Sequence, residues 1–237
     1  MQFSDGSGSH EERIGNGMNS VKRRIYLVDD HPLVREWLTN LLNQQPDLMV
    51  CGESESAPEA LQSIARARPD AAIVDISLKD SSGLDLIKSL KEMHPHVSVL
   101  ALSMHDEFLY AERALRAGAK GYIMKRETTR KVVDAIRRVL DGKLYVSSNV
   151  AEALAEKSVT GKTATGRNAI ELLSDRELEV FEMLGQGLGT RQIADNLKVS
   201  IKTVQVYCAR MKEKMNVGSA TELLREAIRW NEAKAAQ

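Results

Sequence analysis

The sequence predicts an α/β domain on a doubly wound, five-stranded parallel sheet, followed by a second, smaller all-α domain. Five short apolar runs alternate with amphipathic stretches of helical period between residues 23 and 142. The central runs are continuous rather than alternating, as in strands covered on both faces. Beyond residue 168 only helical periodicity remains. Strands that alternate with helices build a parallel sheet, because right-handed crossovers lay the helices over both of its faces.

The first run, Arg24 to Val28 (RIYLV), leads straight into Asp29-Asp30-His31-Pro32. Asp30 or His31 can cap the next helix, and Pro32 suits its first turn. Leu33, Val34, Trp37, Leu38, Leu41 and Leu42 then recur at helical spacing. Leu48 to Gly52 is the second strand, followed by a helix from about Pro58 to Ala67. The third, Ala71 to Ile76 (AAIVDI), is apolar but for Asp75; Ser77 to Gly83 (SLKDSSG) turns the chain into a helix opening at Gly83. Val97 to Ser103 is the fourth strand, and Gly118 stops the helix Asp106 to Ala117. Gly121 to Met124 is the fifth strand, ending on Lys125, and Thr128 to Leu140 is the last helix of the unit.

Composition bounds the rest. The chain has 237 residues, 43% hydrophobic and 28% charged, enough for two ordinary domains with real cores. Its formal net charge is zero, so a nucleic-acid site has to be local. Cys51 and Cys208 form no CxxC or Cys/His cluster, which argues against a zinc site or a disulfide framework and fits a reducing cytoplasm. No apolar run approaches membrane-spanning length, and residues 1–20 lack the apolar core of a signal peptide. The expected organisation is a disordered tail (1–21), the α/β domain (22–143), a linker (144–170) with a short helix near Val150 to Glu156, the helical domain (171–232) and a short tail (233–237).

Four of the five strands end on a polar or charged residue: Asp29-Asp30, Asp75, Ser103 and Lys125. A helix cap, a turn, a strand-end hydroxyl and a surface cation would explain them singly, but in a parallel sheet all four ends fall on one rim. That rim is where ligands gather in open α/β sheets. Carboxylates packed together repel one another and call for an oxygen-preferring divalent cation, hence Mg²⁺. A carboxylate beside such an ion can act as nucleophile toward a phosphoryl group and form an aspartyl phosphate. Lys125 and the Ser103 hydroxyl can then hold the phosphoryl oxygens.

The motifs VDDHPLVR (28–35), IVDISL (73–78), LALSMHDE (100–107) and GAKGYIMK (118–125) resemble those of the receiver domain of two-component response regulators. The resemblance implies a flavodoxin-like strand order, Asp75 as phosphoacceptor and Asp29 and Asp30 as acidic metal partners. The backbone carbonyl of Ser77 would complete the Mg²⁺ ligands. Ser103 is then the switch hydroxyl, Lys125 the phosphate-sensing cation, and Tyr122 the aromatic that swings inward on activation. Lys79 stands where the family usually has proline.

In the C-terminal part, Ser174 with Glu177 forms a capping-box pattern opening a helix through Leu184. Thr190 is placed to cap Arg191 to Leu197; Ser200 then caps a longer helix to about Met215, and Ser219 a last one to Trp230. A short helix, a tight turn and a longer helix make a helix-turn-helix pattern. On a helical wheel Val204, Cys208, Met211 and Met215 share the buried face, with Lys202, Gln205, Val206, Ala209 and Arg210 broadly opposite. Six cations (Arg191, Lys198, Lys202, Arg210, Lys212, Lys214) face two anions (Asp195, Glu213) over this stretch, so positive charge is concentrated there. Small and polar residues between cations suit a helix entering the DNA major groove. The expected DNA-binding set is Lys198, Ser200, Lys202, Thr203, Gln205, Val206, Ala209, Arg210 and Lys214.

LSDRELEVFEML, TRQIADNL, VSIKTVQVY and KEKMNV resemble the LuxR-type DNA-binding domain. The order receiver, linker, LuxR-type domain is that of NarL/FixJ-class response regulators, although Gln205 replaces a usual basic residue and Tyr207 a usual histidine. The resemblance implies a cytoplasmic, non-enzymatic transcription regulator phosphorylated by a sensor histidine kinase and binding promoter half-sites in double-stranded DNA as a homodimer. A haloacid-dehalogenase-type phosphatase would place its two acids two residues apart on the first strand, whereas Asp29 and Asp30 are adjacent. A receiver signalling through docking alone would not need the complete acid, hydroxyl and lysine set.

Overall fold

The computed structural model describes residues 21–78, 81–160 and 169–235. The expected N-terminal tail through residue 20, Lys79, linker residues 161–168 and the last two residues lie outside the described residues.

Five strands, β1 (Arg23–Val28), β2 (Leu48–Ser54), β3 (Ala71–Asp75), β4 (Ser98–Ser103) and β5 (Gly121–Met124), form one sheet in the order β2-β1-β3-β4-β5. All pairs are parallel. β3 is the central strand and every one of its residues is buried, as its continuous apolar run requires. Register aligns Asp75 with Leu102 and Ser103 with Met124, so the functional strand ends lie side by side.

Helices α1 (Pro32–Asn43) and α5 (Thr129–Leu140) cover one face, packing Leu38, Leu42, Val132, Ile136 and Val139 on Ile25, Leu27, Ile73 and Leu100. Helices α2 (Ala57–Ala67), α3 (Gly83–Met93) and α4 (Glu107–Ala117) cover the other. There Ile64, Ile87, Leu90 and Ala111 meet Tyr26, Val74, Ala101 and Tyr122. Each fully buried aliphatic side chain stabilises this arrangement by about 1.5–3 kcal/mol. Gly118 ends α4 with φ 117°, a left-handed conformation that suits glycine.

The β3–α3 connection is more ordered than a plain turn: Ser77–Leu78 and Ser81–Ser82 pair antiparallel as a small hairpin. The linker helix is also longer than its sequence suggests. Helix α6 spans Ser148–Thr160, buries Val150 and joins α4 through Lys157 Nζ and Glu112 Oε2, 3.0 Å apart. Tertiary packing supplies what a helix with so few apolar residues lacks alone.

A turn of 3₁₀ helix (Ala169–Leu172) leads into α7 (Asp175–Gly185), α8 (Thr190–Asn196), α9 (Ile201–Met215) and α10 (Ala220–Ala235). The Ser174–Glu177 capping box forms as expected, and the Ser200 and Ser219 hydroxyls accept from Thr203 N–H and Glu222 N–H. Thr190 is not the cap of α8. Gly189 occupies that position, its N–H donating to Gln192 Oε1 at 2.9 Å, and Thr190 is the first helical residue. Helix α10 continues to Ala235, past the expected end at Trp230, whose ring packs on Phe181. The apolar layer beneath α4 runs on through Val150, Ile170 and Leu173 to Leu178 and Phe181, joining the two domains.

Candidate functional site

The strand ends converge as the parallel register dictates. Asp29, Asp30 and Asp75 are buried, and Ser103 is fully enclosed. Lys125 reaches in from the end of β5, its Nζ 2.7 Å from both Asp75 Oδ2 and Asp29 Oδ2. The other Asp75 oxygen, Oδ1, accepts from Ser77 N–H at 3.1 Å. Burial raises the pKa of Asp75 above the usual carboxylate value; Lys125 pulls against that rise, and the neighbouring charge of Asp29 adds to it. Burial disfavours the charged form of Lys125, but Asp75 and Asp29 outweigh it and raise the pKa.

His31 belongs to this pocket. It stands at the N-cap position of α1 without making a side-chain cap. Its Nδ1 instead lies 3.1 Å from Asp29 Oδ1 and 3.0 Å from Asp30 Oδ1. One ligand atom from each of Asp29, Asp30, His31 and Asp75 falls within 4.8 Å of the others. Three buried carboxylates against one lysine leave an excess of negative charge that a divalent cation would offset. The three carboxylates of this cluster supply hard oxygen donors, which fit an oxygen-preferring ion. Its signal in the sequence was the adjacency of His31 to Asp29-Asp30.

Tyr122 is already turned inward, 2% exposed, with its hydroxyl donating to the carbonyl of His105 at 2.8 Å. The Ser103 hydroxyl accepts from the N–H of the same His105 at 3.0 Å, and Ser77 Oγ lies 2.6 Å from its Nε2. His105, two residues beyond Ser103, carries no signal in the sequence because its partners come from three separate segments.

On α9, Val204 and Met211 are buried and Cys208 and Met215 pack against the same core, while Lys202, Gln205, Val206, Ala209 and Arg210 are exposed. Lys198 lies just before the helix with φ 49°. Ser200 and Thr203 are engaged with each other in the cap, their hydroxyl oxygens 2.8 Å apart. Lys214 is set apart from the rest of the expected DNA-binding set: its Nζ lies 2.5 Å from Glu177 Oε2 and ties α9 to the start of α7.

Residues 25–137 match the family model "Response regulator receiver domain", and residues 171–227 match "Bacterial regulatory proteins, luxR family". The chain is 34% identical over 210 residues to the oxygen regulatory protein NreC of Staphylococcus carnosus, covering 87% of this chain and 97% of that one. It is 38% identical over 204 residues to the transcriptional activator protein ExaE of Pseudomonas putida, covering 86% and 95%. The structure of RcsB from Salmonella enterica serovar Typhimurium, bound to promoter rprA, has the same fold, with a TM-score of 0.60 at 24% identity over 86% of this chain and 98% of that one. A receiver followed by a LuxR-type helical domain makes this chain a DNA-binding response regulator of a two-component system, a transcription regulator and not an enzyme. Within that class it belongs to the NarL/FixJ family. Among the described residues no helix is long and apolar enough to cross a membrane.

Proposed function

We propose that Asp75 accepts a phosphoryl group from the phosphohistidine of a sensor histidine kinase in the cytoplasm, and that the phosphorylated chain dimerises on paired half-sites in double-stranded promoter DNA. The observation that carries this reading is Asp75 itself, buried at the end of the central strand with Lys125 Nζ 2.7 Å from one carboxylate oxygen and the Ser77 N–H on the other. An Asp75 oxygen attacks phosphorus while the bond to the kinase imidazole breaks, and the imidazole leaves with that electron pair. Lys125 moves from pairing carboxylates to pairing a phosphoryl oxygen, and the Ser103 hydroxyl donates to another. Asp29, Asp30, Asp75 and the Ser77 carbonyl would hold Mg²⁺, which supplies charge neutralisation for the carboxylates and the incoming phosphoryl group.

Intact mass after incubation with acetyl phosphate and Mg²⁺ tests the assignment. One added phosphoryl group is expected on the wild type and none on Asp75→Asn. An equal addition to the variant, or full modification with Mg²⁺ chelated, would refute it.

A further inference from the structure

Neighbouring residues of an extended chain point to opposite sides. Asp29 and Asp30 follow β1 directly, yet both are buried at one pocket. His31 Nδ1 lies 3.1 Å from an oxygen of the first and 3.0 Å from an oxygen of the second. The peptide between them therefore breaks the alternation of the strand, and the chain bends at Asp30. The carbonyl of that peptide is the Asp29 carbonyl, and Arg35 Nη1 of α1 donates to it at 2.6 Å. The Arg35 side chain is 14% exposed, and its pairing with Glu53 of β2, at 3.8 Å, is loose and weakened by solvent. The Asp29 N–H donates to the Ser54 carbonyl of β2 at 3.2 Å, and Asp29 Oδ1 accepts from the His31 N–H at 2.9 Å. The backbone of Asp29 is thus tied to β2 on one side and to α1 on the other.

We propose that Arg35 is a positioning residue for the Mg²⁺ site: by holding the Asp29 carbonyl it fixes the turned peptide that aims two successive carboxylates into one pocket. This rests on the reading of Asp29, Asp30 and Asp75 as that site. Carboxylates crowded together repel one another, and rotating the peptide between Asp29 and Asp30 would relieve the repulsion by turning one of them out. The bond from the Arg35 guanidinium opposes that rotation, and its ionised donor makes it stronger than a neutral hydrogen bond. Helix α1 is packed on the sheet through Leu38 and Leu42, so the helix sets where the donor stands. The charge of Arg35 acts in the opposite sense. A cation beside the pocket repels a second cation, so removing charge alone would tighten Mg²⁺ binding, whereas releasing the peptide would weaken it. The sign of the change separates the two roles.

Calorimetric titration of Mg²⁺ into the full-length chain tests this, beside acetyl phosphate time courses followed by intact mass over a range of Mg²⁺ concentrations. Arg35→Met keeps much of the length and apolar contact of the side chain and removes the donor. Its Mg²⁺ affinity should fall roughly 10–100-fold, the range seen when a residue that orients a metal ligand is lost. The Mg²⁺ concentration for half-maximal phosphoryl uptake should rise by the same factor, with the rate at saturating Mg²⁺ close to that of wild type. Arg24→Met is the control. Arg24 Nη2 donates to the Ala67 carbonyl at 2.9 Å near the far end of β1, so this variant should melt at a lower temperature and bind Mg²⁺ as wild type does. Arg35→Gln, too short to reach the carbonyl, should repeat the loss, and it carries the test if Arg35→Met does not fold. Unchanged or tighter Mg²⁺ binding in the Arg35 variants would overturn the positioning role, and so would an equal loss in Arg24→Met. Wild type that neither binds Mg²⁺ nor gains a phosphoryl group would overturn the reading of the metal site itself.

Discussion

At the scale of single residues, Gly83 shows how closely the phosphoacceptor is built. A methyl group at that position would collide with the carbonyl oxygen of Asp75 and approach Cα of Ile76 to 2.7 Å. Its N–H donates to the Ile76 carbonyl at 2.9 Å, so α3 starts directly against the end of β3. Both obstructing atoms are backbone and cannot turn aside. Gly83→Ala should therefore destabilise the receiver by about 1–3 kcal/mol, the usual range for overpacking, and also slow phosphoryl uptake by displacing Asp75. Gly118→Ala provides the contrast. Its φ of 117° strains an alanine far from the pocket, so stability should fall with little change in uptake. Thermal melts combined with mass-resolved time courses in acetyl phosphate separate the two. Equal uptake by Gly83→Ala and wild type would show that the close approach does not position Asp75.

Between elements, the Glu177–Lys214 pair joins the first turn of α7 to the last turn of α9. Burial pushes the Glu177 pKa upward, but Lys214 and the Ser174 N–H outweigh it and lower the pKa from the ordinary 4.5. A carboxylate whose pKa is lowered by folding contributes stability above its unfolded pKa, and that contribution is lost as pH falls through the folded value. The C-terminal domain should accordingly lose stability below about pH 4.5, and Glu177→Gln should flatten that part of the profile. Lys214 is 37% exposed, so solvent weakens the pair. Lys214→Ala should cost about 1–2 kcal/mol, towards the lower part of the range for hydrogen bonds to charged groups. Urea melts of both variants from pH 3 to 7 check this, and an undiminished acid slope in Glu177→Gln would count against it.

For the whole molecule, Lys214 is engaged with Glu177, and the exposed side chains in the first half of α9 are the ones open to DNA. That half reaches base edges when such a helix enters the major groove. Gln205 can bond adenine through two hydrogen bonds, so Gln205→Ala should relax preference at one base pair by roughly 1–3 kcal/mol. Lys202→Ala should instead weaken all sequences alike and lower the salt slope by about one. Titrations of both variants against single-base operator changes at two salt concentrations distinguish these outcomes. A uniform loss in Gln205→Ala would remove it from base reading.

The five alternations of strand and helix, the strand-end residues Asp29, Asp30, Asp75, Ser103 and Lys125, and the buried face of α9 are all legible in the sequence. Those features are local: an unbroken apolar run, a helical period or a cap spaced three residues ahead can each be read without knowing what lies nearby. The pocket was legible because parallel strands bring like ends to one rim. The packing of the elements decided that His31 turns from its cap position to the carboxylates, that Lys214 pairs with Glu177, and that Tyr122 is buried. It also decided that His105 meets Ser77, Tyr110 and Glu182, which lie 28, 5 and 77 positions from it in the chain. Side-chain partners drawn from separate elements leave no period or spacing, because their proximity is set by how helices pack on the sheet and on one another.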